Sequence, residues 1–323
     1  MIDLSNEYAI GIDIGGTNTK YGIVNHRGEI LEKAELKTDD YPEIEDFIDA
    51  LYGAVMPLVE RNAADGKVKG IGVGAPNGNY YTGTIEYAPN LHWKGIIPMT
   101  KLITQRFGLP SALTNDANAA AVGEMNYGAA RGMRDFIMIT LGTGVGSGIV
   151  ANGQLILGHD GFAGELGHAT IIPGGRQHWS TGLHGSLESY CSATGIALTA
   201  KELLGKDNRP STLRDLGADK LDSKAIYDCA IAGDPIAQEV YRFTGEVLGL
   251  ALANFVMFSS PEAIVLFGGV IKAGDLLLQP TREHMEKNLL PIFQNKVKLI
   301  LSELKEADAA ILGASALVWE IRD

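Results

Sequence analysis

Hydrophobic positions along the chain come in two kinds of run. Short apolar blocks bounded by glycine or polar residues read as strands over residues 8–14, 21–25, 29–37, 68–75, 134–141, 263–267 and 296–302. Residues 107–114 read as a turn and a short buried strand. Longer stretches with helical spacing read as helices over 42–62, 98–107, 117–125, 193–204, 235–258 and 307–320. In the first helix Ile44, Phe47, Ile48, Leu51, Val55, Leu58 and Val59 share one face and belong to a core. Residues 77–93, 173–185 and 207–222 are polar and carry glycine or proline, so they read as loops, the last with room for short helices. The opening order of three strands, a helix and a strand predicts a hairpin-rich half-sheet covered by a helix.

Two strand breaks resemble each other. Asp13-Ile14-Gly15-Gly16-Thr17 returns as a strand ending Gly22-Ile23-Val24, and Gly142-Thr143-Gly144-Val145-Gly146 leaves as one ending Gly148-Ile149-Val150. This is a weak internal repeat of the sort two similar half-domains leave. A strand, not a helix, follows the first turn, so it is no P-loop, and GxGxxG is absent. A plain glycine hairpin is the simpler reading. Against it, Asp13, Gly15, Gly16, Thr17, Thr19 and Lys20 stand within eight residues. Such a turn offers N–H groups, hydroxyls and a cation to phosphates, and a carboxylate to hydrated Mg²⁺.

Asn115-Asp116-Ala117-Asn118 joins the short strand to the alanine-rich helix. Helix starts carry unpaired N–H groups, and polar side chains converge there. Taken alone, Asp116 reads as an N-cap. The glycine turns on either side of it in sequence favour a functional acid. Asn90 can both donate and accept, as a sugar hydroxyl requires, and a turn-forming Asn after proline explains it equally. Glu165 and His168 stand three apart among small residues, and Glu188 opens a helical run. Carboxylates bind hydroxyls through charge-assisted bonds. Gly268-Gly269 after a strand lets a planar ring approach the backbone, or is a simple strand-end turn.

Composition narrows the class. The chain has 323 residues, enough for one large or two medium domains, and a net charge of −12. That balance disfavours nucleic acid and anionic membrane partners, although backbone N–H groups can still hold an anionic small ligand. No apolar run is long enough to span a bilayer, and no secretory leader is expected. Cys191 and Cys229 form no CxxC pair. A cytoplasmic protein is expected.

In chain order, Asp13-Ile14-Gly15-Gly16-Thr17, Pro89-Asn90-Leu91, Asn115-Asp116-Ala117-Asn118, Gly142-Thr143-Gly144-Val145-Gly146, Gly164-Glu165-Leu166-Gly167-His168, Leu187-Glu188 and Leu266-Phe267-Gly268-Gly269 resemble the ROK family of sugar kinases and repressors, nearest its glucokinases. The resemblance covers essentially the whole chain. It implies an α/β, actin-like ATPase (ribonuclease H-like) fold, with two lobes and a central cleft. The expected small lobe is 1–116 with residues of about 305–323 packing back on it, and the large lobe is 117–304. It implies transfer of the ATP γ-phosphoryl group to a hexose 6-hydroxyl, most simply that of glucose. Asp116 would be the general base. Asn90, Asn115, Asp116, Glu165, His168 and Glu188 would hold the sugar. Gly15, Gly16, Thr17, Asn18, Lys20, Thr143 and Gly144 would hold phosphates, Gly268 and Gly269 would lie near the adenosine, and Asp13 would face Mg²⁺ through water. A homodimer is expected.

Two departures stand out. Many relatives carry three zinc-binding cysteines before the Leu-Glu pair, with the histidine of the Gly-Glu-Leu-Gly-His motif as fourth ligand. Here those positions are Trp179, Thr181 and Ser186, so no zinc is expected and packing, with Trp179 as candidate, would order the loop 173–185. Asn77 stands where the resemblance expects glycine. Rival readings are a kinase for another hexose (N-acetylmannosamine, N-acetylglucosamine, mannose, fructose or allose), a silent sugar-binding protein, and a repressor. The repressor would need a DNA-binding module ahead of Asp13.

Overall fold

The computed structural model describes residues 7–63, 66–217 and 220–320. The chain opens as β1 (Glu7–Ile14), β2 (Asn18–Asn25), β3 (Ile30–Lys37), α1 (Ile44–Asn62) and β4 (Lys67–Gly74). A small excursion follows: β5 (Gly78–Asn79), β6 (Thr84–Glu86) and β7 (Ile96–Ile97). Then come α2 (Met99–Phe107), β8 (Ser111–Thr114) and α3 (Asp116–Tyr127). The second half holds β9 (Phe136–Leu141), β10 (Val145–Ala151), β11 (Gln154–Leu155), α4 (Glu188–Cys191), α5 (Ala193–Lys206), α6 (Ser223–Ile231) and α7 (Pro235–Ser259). It ends with β12 (Ala263–Phe267), α8 (Asp275–Asn288), β13 (Lys298–Leu301) and α9 (Glu306–Ala316).

One sheet plan is used twice. The first sheet has the order β3–β2–β1–β4–β8, antiparallel across β3–β2–β1 and parallel across β1–β4–β8. The second has the order β11–β10–β9–β12–β13, with β9, β12 and β13 parallel. In each, the first strand of its set sits centrally and the hairpin partner lies on one side. The weak repeat in the sequence is the trace of this shared plan.

By contacts, the chain falls into two compact units. The first takes the described residues of Met1–Arg134, Gly148–Gly164 and Ser302–Asp323, and the second those of Asp135–Ser147 and Glu165–Leu301. This division departs from a boundary at residue 116. Helix α3 stays with the first unit because it packs on α9, which also lies across β1. Glycines make that approach possible. A Cβ at Gly11 on β1 or Gly72 on β4 would run into the backbone of Ile311 or Ala314 on α9. The face of the first sheet carrying Ile10, Ile12, Ile71, Val73 and Leu113 packs with Phe47 and Leu51 of α1 and Met99 of α2 in a buried core. Each such side chain contributes about 1.5–3 kcal/mol by leaving water.

Three stretches differ from the sequence reading. Residues 77–93 are not only loop: β5 and β6 pair there and continue into β7. Helix α6 was hidden beside the polar segment that ends at its N-cap, Asp222, whose side chain accepts from Ala225 N. Helix α8 escaped because it buries only Leu277, Leu278, Thr281 and Met285, is largely polar after Leu278, and contains Pro280, which mimics a break. Among the described residues, no helix is long and apolar enough to cross a membrane.

Candidate active site

Two groups of candidate residues form, one in each unit. In the first unit Asp13 stands one residue before the end of β1, in register with Lys20 on β2 and Gly74 on β4. Gly74 is paired in turn with Thr114 on β8, just before Asn115 and Asp116. A Cβ built at Gly74 would lie 3.8 Å from both Asp13 Oδ1 and Asp116 Cα, so the two acids flank this glycine. They sit at the carboxyl ends of β1 and β8, the two parallel strands on either side of β4, where α/β sheets present ligands.

The helix start separates two roles. The N-cap is Asn115, whose Oδ1 accepts the Asn118 N–H at 2.7 Å. Asp116 is the next residue, with Oδ1 accepting the Ala117 N–H at 2.8 Å. The N-cap reading of Asp116 is therefore corrected by one residue, and the aspartate is not consumed in starting the helix.

Electrostatics sets the two acids apart from surface carboxylates. The Asp13 carboxyl is pushed up to about 6, first by burial and then by the charge of Asp116, against the pull of Lys20. Asp116 keeps an exposed face, yet the protein around it displaces enough water to push its carboxyl above the usual range, against the pull of the Ala117 N–H. Two carboxylates beside one lysine leave excess negative charge, which suits a hydrated Mg²⁺.

The turn after β1 closes through the Gly15 N–H and the Asn18 carbonyl, 3.0 Å apart. Thr17 and Asn18 are exposed, whereas Thr19 is buried and bonded to Thr38 Oγ1 at 2.8 Å. Gly16 seats the turn on the loop of Asn90, since a Cβ there would lie 2.6 Å from the Asn90 carbonyl. That loop is anchored by Trp93, which donates to Tyr41 O at 3.1 Å and packs on Phe47. Asn90 itself is exposed. Asn77 occupies the left-handed region at φ 51°, which asparagine tolerates, and its Nδ2 donates to Glu86 O at 2.9 Å.

In the second unit the turn from β9 to β10 gathers the other candidates. Thr143 is exposed at its tip. A Cβ at Gly144 would lie 2.6 Å from Glu188 Oε2, and the same oxygen accepts the Val145 N–H at 2.6 Å. Leu166 N donates to Ser147 Oγ at 3.1 Å, which holds the Glu165–His168 turn against the start of β10. His168 Nε2 lies 3.9 Å from Glu165 Oε2. Its Nδ1 is buried with no protein partner among the described residues. Gly268, at φ 106°, packs on the Leu141 backbone, and Gly269 faces open space.

Sequence reasoning missed two residues here, Arg176 and His178. The Arg176 guanidinium donates to the Ser189 and Gly195 carbonyls, to Thr199 Oγ1 and to Glu202, and lies over the Tyr190 ring. It pins the loop to α4 and α5. His178 is 2% exposed and bonded through Nε2 to Glu188 Oε1 at 2.6 Å. Trp179, the candidate for packing, is 47% exposed and stacks on the outside of His178, with ring centroids 4.1 Å apart. Neither a lone arginine nor a lone histidine in a polar loop carries a sequence signal.

The thiolate positions do not fit a zinc ion. Ser186 Oγ is buried against Ser189 Oγ at 2.7 Å, Thr181 Oγ1 accepts from Leu183 N, and Trp179 offers no ligand atom.

The model of the ROK family matches residues 9–321. The glucokinase of Halalkalibacterium halodurans is 37% identical, across 98% of this chain and 96% of that protein. The glucokinase of Thermotoga maritima is 33% identical, across 96% and 97%. Among solved structures, a ROK family glucokinase from Streptomyces griseus, in complex with glucose and AMPPNP, superposes with a TM-score of 0.78 at 32% identity. That match covers 97% of this chain and 100% of the other.

Proposed function

The chain belongs to the ROK family, and from that premise we propose that it transfers the γ-phosphoryl group of ATP to glucose, giving glucose 6-phosphate. Its α/β architecture is the actin-like ATPase fold of ROK sugar kinases. The observation that carries the reaction is the start of α3: Asn115 makes the cap, and Asp116, beside Asp13, is left with a carboxylate at a strand end.

Asp116 is the general base, taking the proton of the attacking hydroxyl. Its raised carboxyl brings it nearer to the working pH than an ordinary aspartate. Backbone N–H groups of the turns at Gly15–Gly16 and Thr143–Gly144, with Thr17, Asn18 and Lys20, receive phosphate oxygens. Mg²⁺ bound with ATP neutralises phosphate charge, and Asp13 is the residue that would hold it through water. Gly268 and Gly269 serve the adenosine.

Hexose hydroxyls are assigned to Asn90, Asn115 and Asp116, and to Glu165, His168 and Glu188. The cap uses Asn115 Oδ1, so its Nδ2 is the donor for a sugar oxygen. The partnerless Nδ1 of His168 supports a ligand role. A homodimer in the cytoplasm is the assembly and location this reading takes.

A coupled ADP-release assay against a hexose panel tests the proposal. Turnover with glucose and Mg·ATP is expected. Selective turnover of an N-acetylated hexose or fructose moves the substrate and keeps the kinase. Sugar binding without ADP release with any hexose overturns it.

A further inference from the structure

The loop that the family resemblance expects to be built on a metal is built here on a histidine. We propose that His178 is the positioning residue for Glu188: it locks the carboxylate into the orientation that receives a glucose hydroxyl, in place of a metal-ordered loop. The inference rests on the assignment of Glu188 to the sugar.

Four contacts carry it. The backbone N–H groups of Ser180 and Thr181 both donate to His178 Nδ1, each at 3.2 Å. An Nδ1 that accepts leaves the ring proton on Nε2. That proton goes to Glu188 Oε1 at 2.6 Å, a charge-assisted bond between side chains 1% and 13% exposed. The other carboxylate oxygen takes the Val145 N–H at 2.6 Å. Glu188 is thus held from both sides, and one imidazole both folds the turn 178–181 and aims the carboxylate. Second-sphere hydrogen bonds of this kind fix ligand orientation.

His168, His178 and Glu188 offer ligand atoms within 4.8 Å of one another, so a cation site is the competing reading. The chemistry weighs against it. His178 Nε2 carries a proton and points it at Glu188 from a distance too short for two ligands sharing one tetrahedral ion at about 2.0–2.1 Å from each.

Two substitutions divide the functions of the ring. His178→Asn keeps an acceptor where Nδ1 lies and removes the donor to Glu188. His178→Gln keeps a donor where Nε2 lies. The expected result is a glucose KM raised about 10-fold or more in H178N. Its ATP KM should stay within about threefold, and the glucose KM should be largely restored in H178Q. Equal damage in both variants, or a glucose KM within about twofold of the parent in H178N, overturns the proposal. Glu188→Gln is measured alongside. If E188Q binds glucose normally, the assignment of Glu188 fails and takes the proposal with it. If E188Q is impaired and H178N is not, only the proposal fails.

The parent protein decides the matter should H178N not fold. Long-range ¹H–¹⁵N spectra of the histidine rings are expected to place the His178 proton on Nε2 alone. A proton on Nδ1, or stoichiometric zinc surviving dialysis, overturns the inference.

Discussion

Asp116 and Asp13 lie together yet do different work, and each can be read out separately. Asp116→Asn preserves shape and the bond to Ala117 N while removing the base. Turnover should fall about 10²- to 10⁴-fold. Calorimetric affinities for glucose and Mg·ATP should stay within a few-fold, and near-normal turnover would show that another group is the base. In the parent, the raised carboxyl of Asp116 puts the acid limb of kcat/KM above the ordinary carboxylate range. Asp13 has a stability signature. Its folded value of about 6 exceeds the ordinary 3.8, so between those values the folded chain binds more protons than the unfolded one. Stability contributed below that window is therefore lost as pH rises through it. Asp13→Asn should melt at a higher temperature than the parent at pH 7, with the gap closing near pH 4, although its Mg·ATP-dependent turnover is lost. Calorimetric scans at the two pH values check this, and a gap independent of pH contradicts the assignment of the charge.

At the scale of elements, the seat of α9 is the most demanding contact. A methyl group at Gly72 would meet the Ala314 backbone, which cannot retreat without lifting the helix off β1 and β4. Gly72→Ala should cost about 1–3 kcal/mol or more in urea titrations, as overpacked interiors do. A change under about 0.5 kcal/mol would mean that the helix sits less closely. The longer strands of the two five-stranded sheets and the long helices α1 and α7 were legible because burial imposes period and length on their sequences. So were both glycine turns, since tight reversals need glycine wherever they occur. The two- and three-residue strands β5, β6, β7 and β11 were not legible, being too short to show a period. Helix α8 was not, because its apolar stripe is narrow and Pro280 interrupts it. The role of His178 was not either: it depends on Nδ1 meeting two backbone N–H groups of its own turn while Nε2 reaches a residue ten positions on. No period or motif encodes that.

For the whole molecule, the doubled sheet plan means that the candidate chemistry is distributed by one rule. In each unit the turn that follows the central strand, Gly15–Gly16 or Thr143–Gly144, sits at the same place in its sheet. The sequence trace is faint because only the turns, not the packing faces, must stay alike. The return of α9 to β1 also has a consequence for how the protein is made. Synthesis is vectorial, and β1 leaves the ribosome about 300 residues before its covering helix does. At about 5–20 residues per second, that is a wait of roughly 15–60 s. Throughout it, the strip of β1 around Gly11 has no lid, and β4 with Gly72 joins it uncovered once made. Most of the second unit, Glu165–Leu301, is by contrast contiguous and emerges complete before α9. The surface of the nascent chain that stays bare longest is therefore the face of β1 that α9 finally covers.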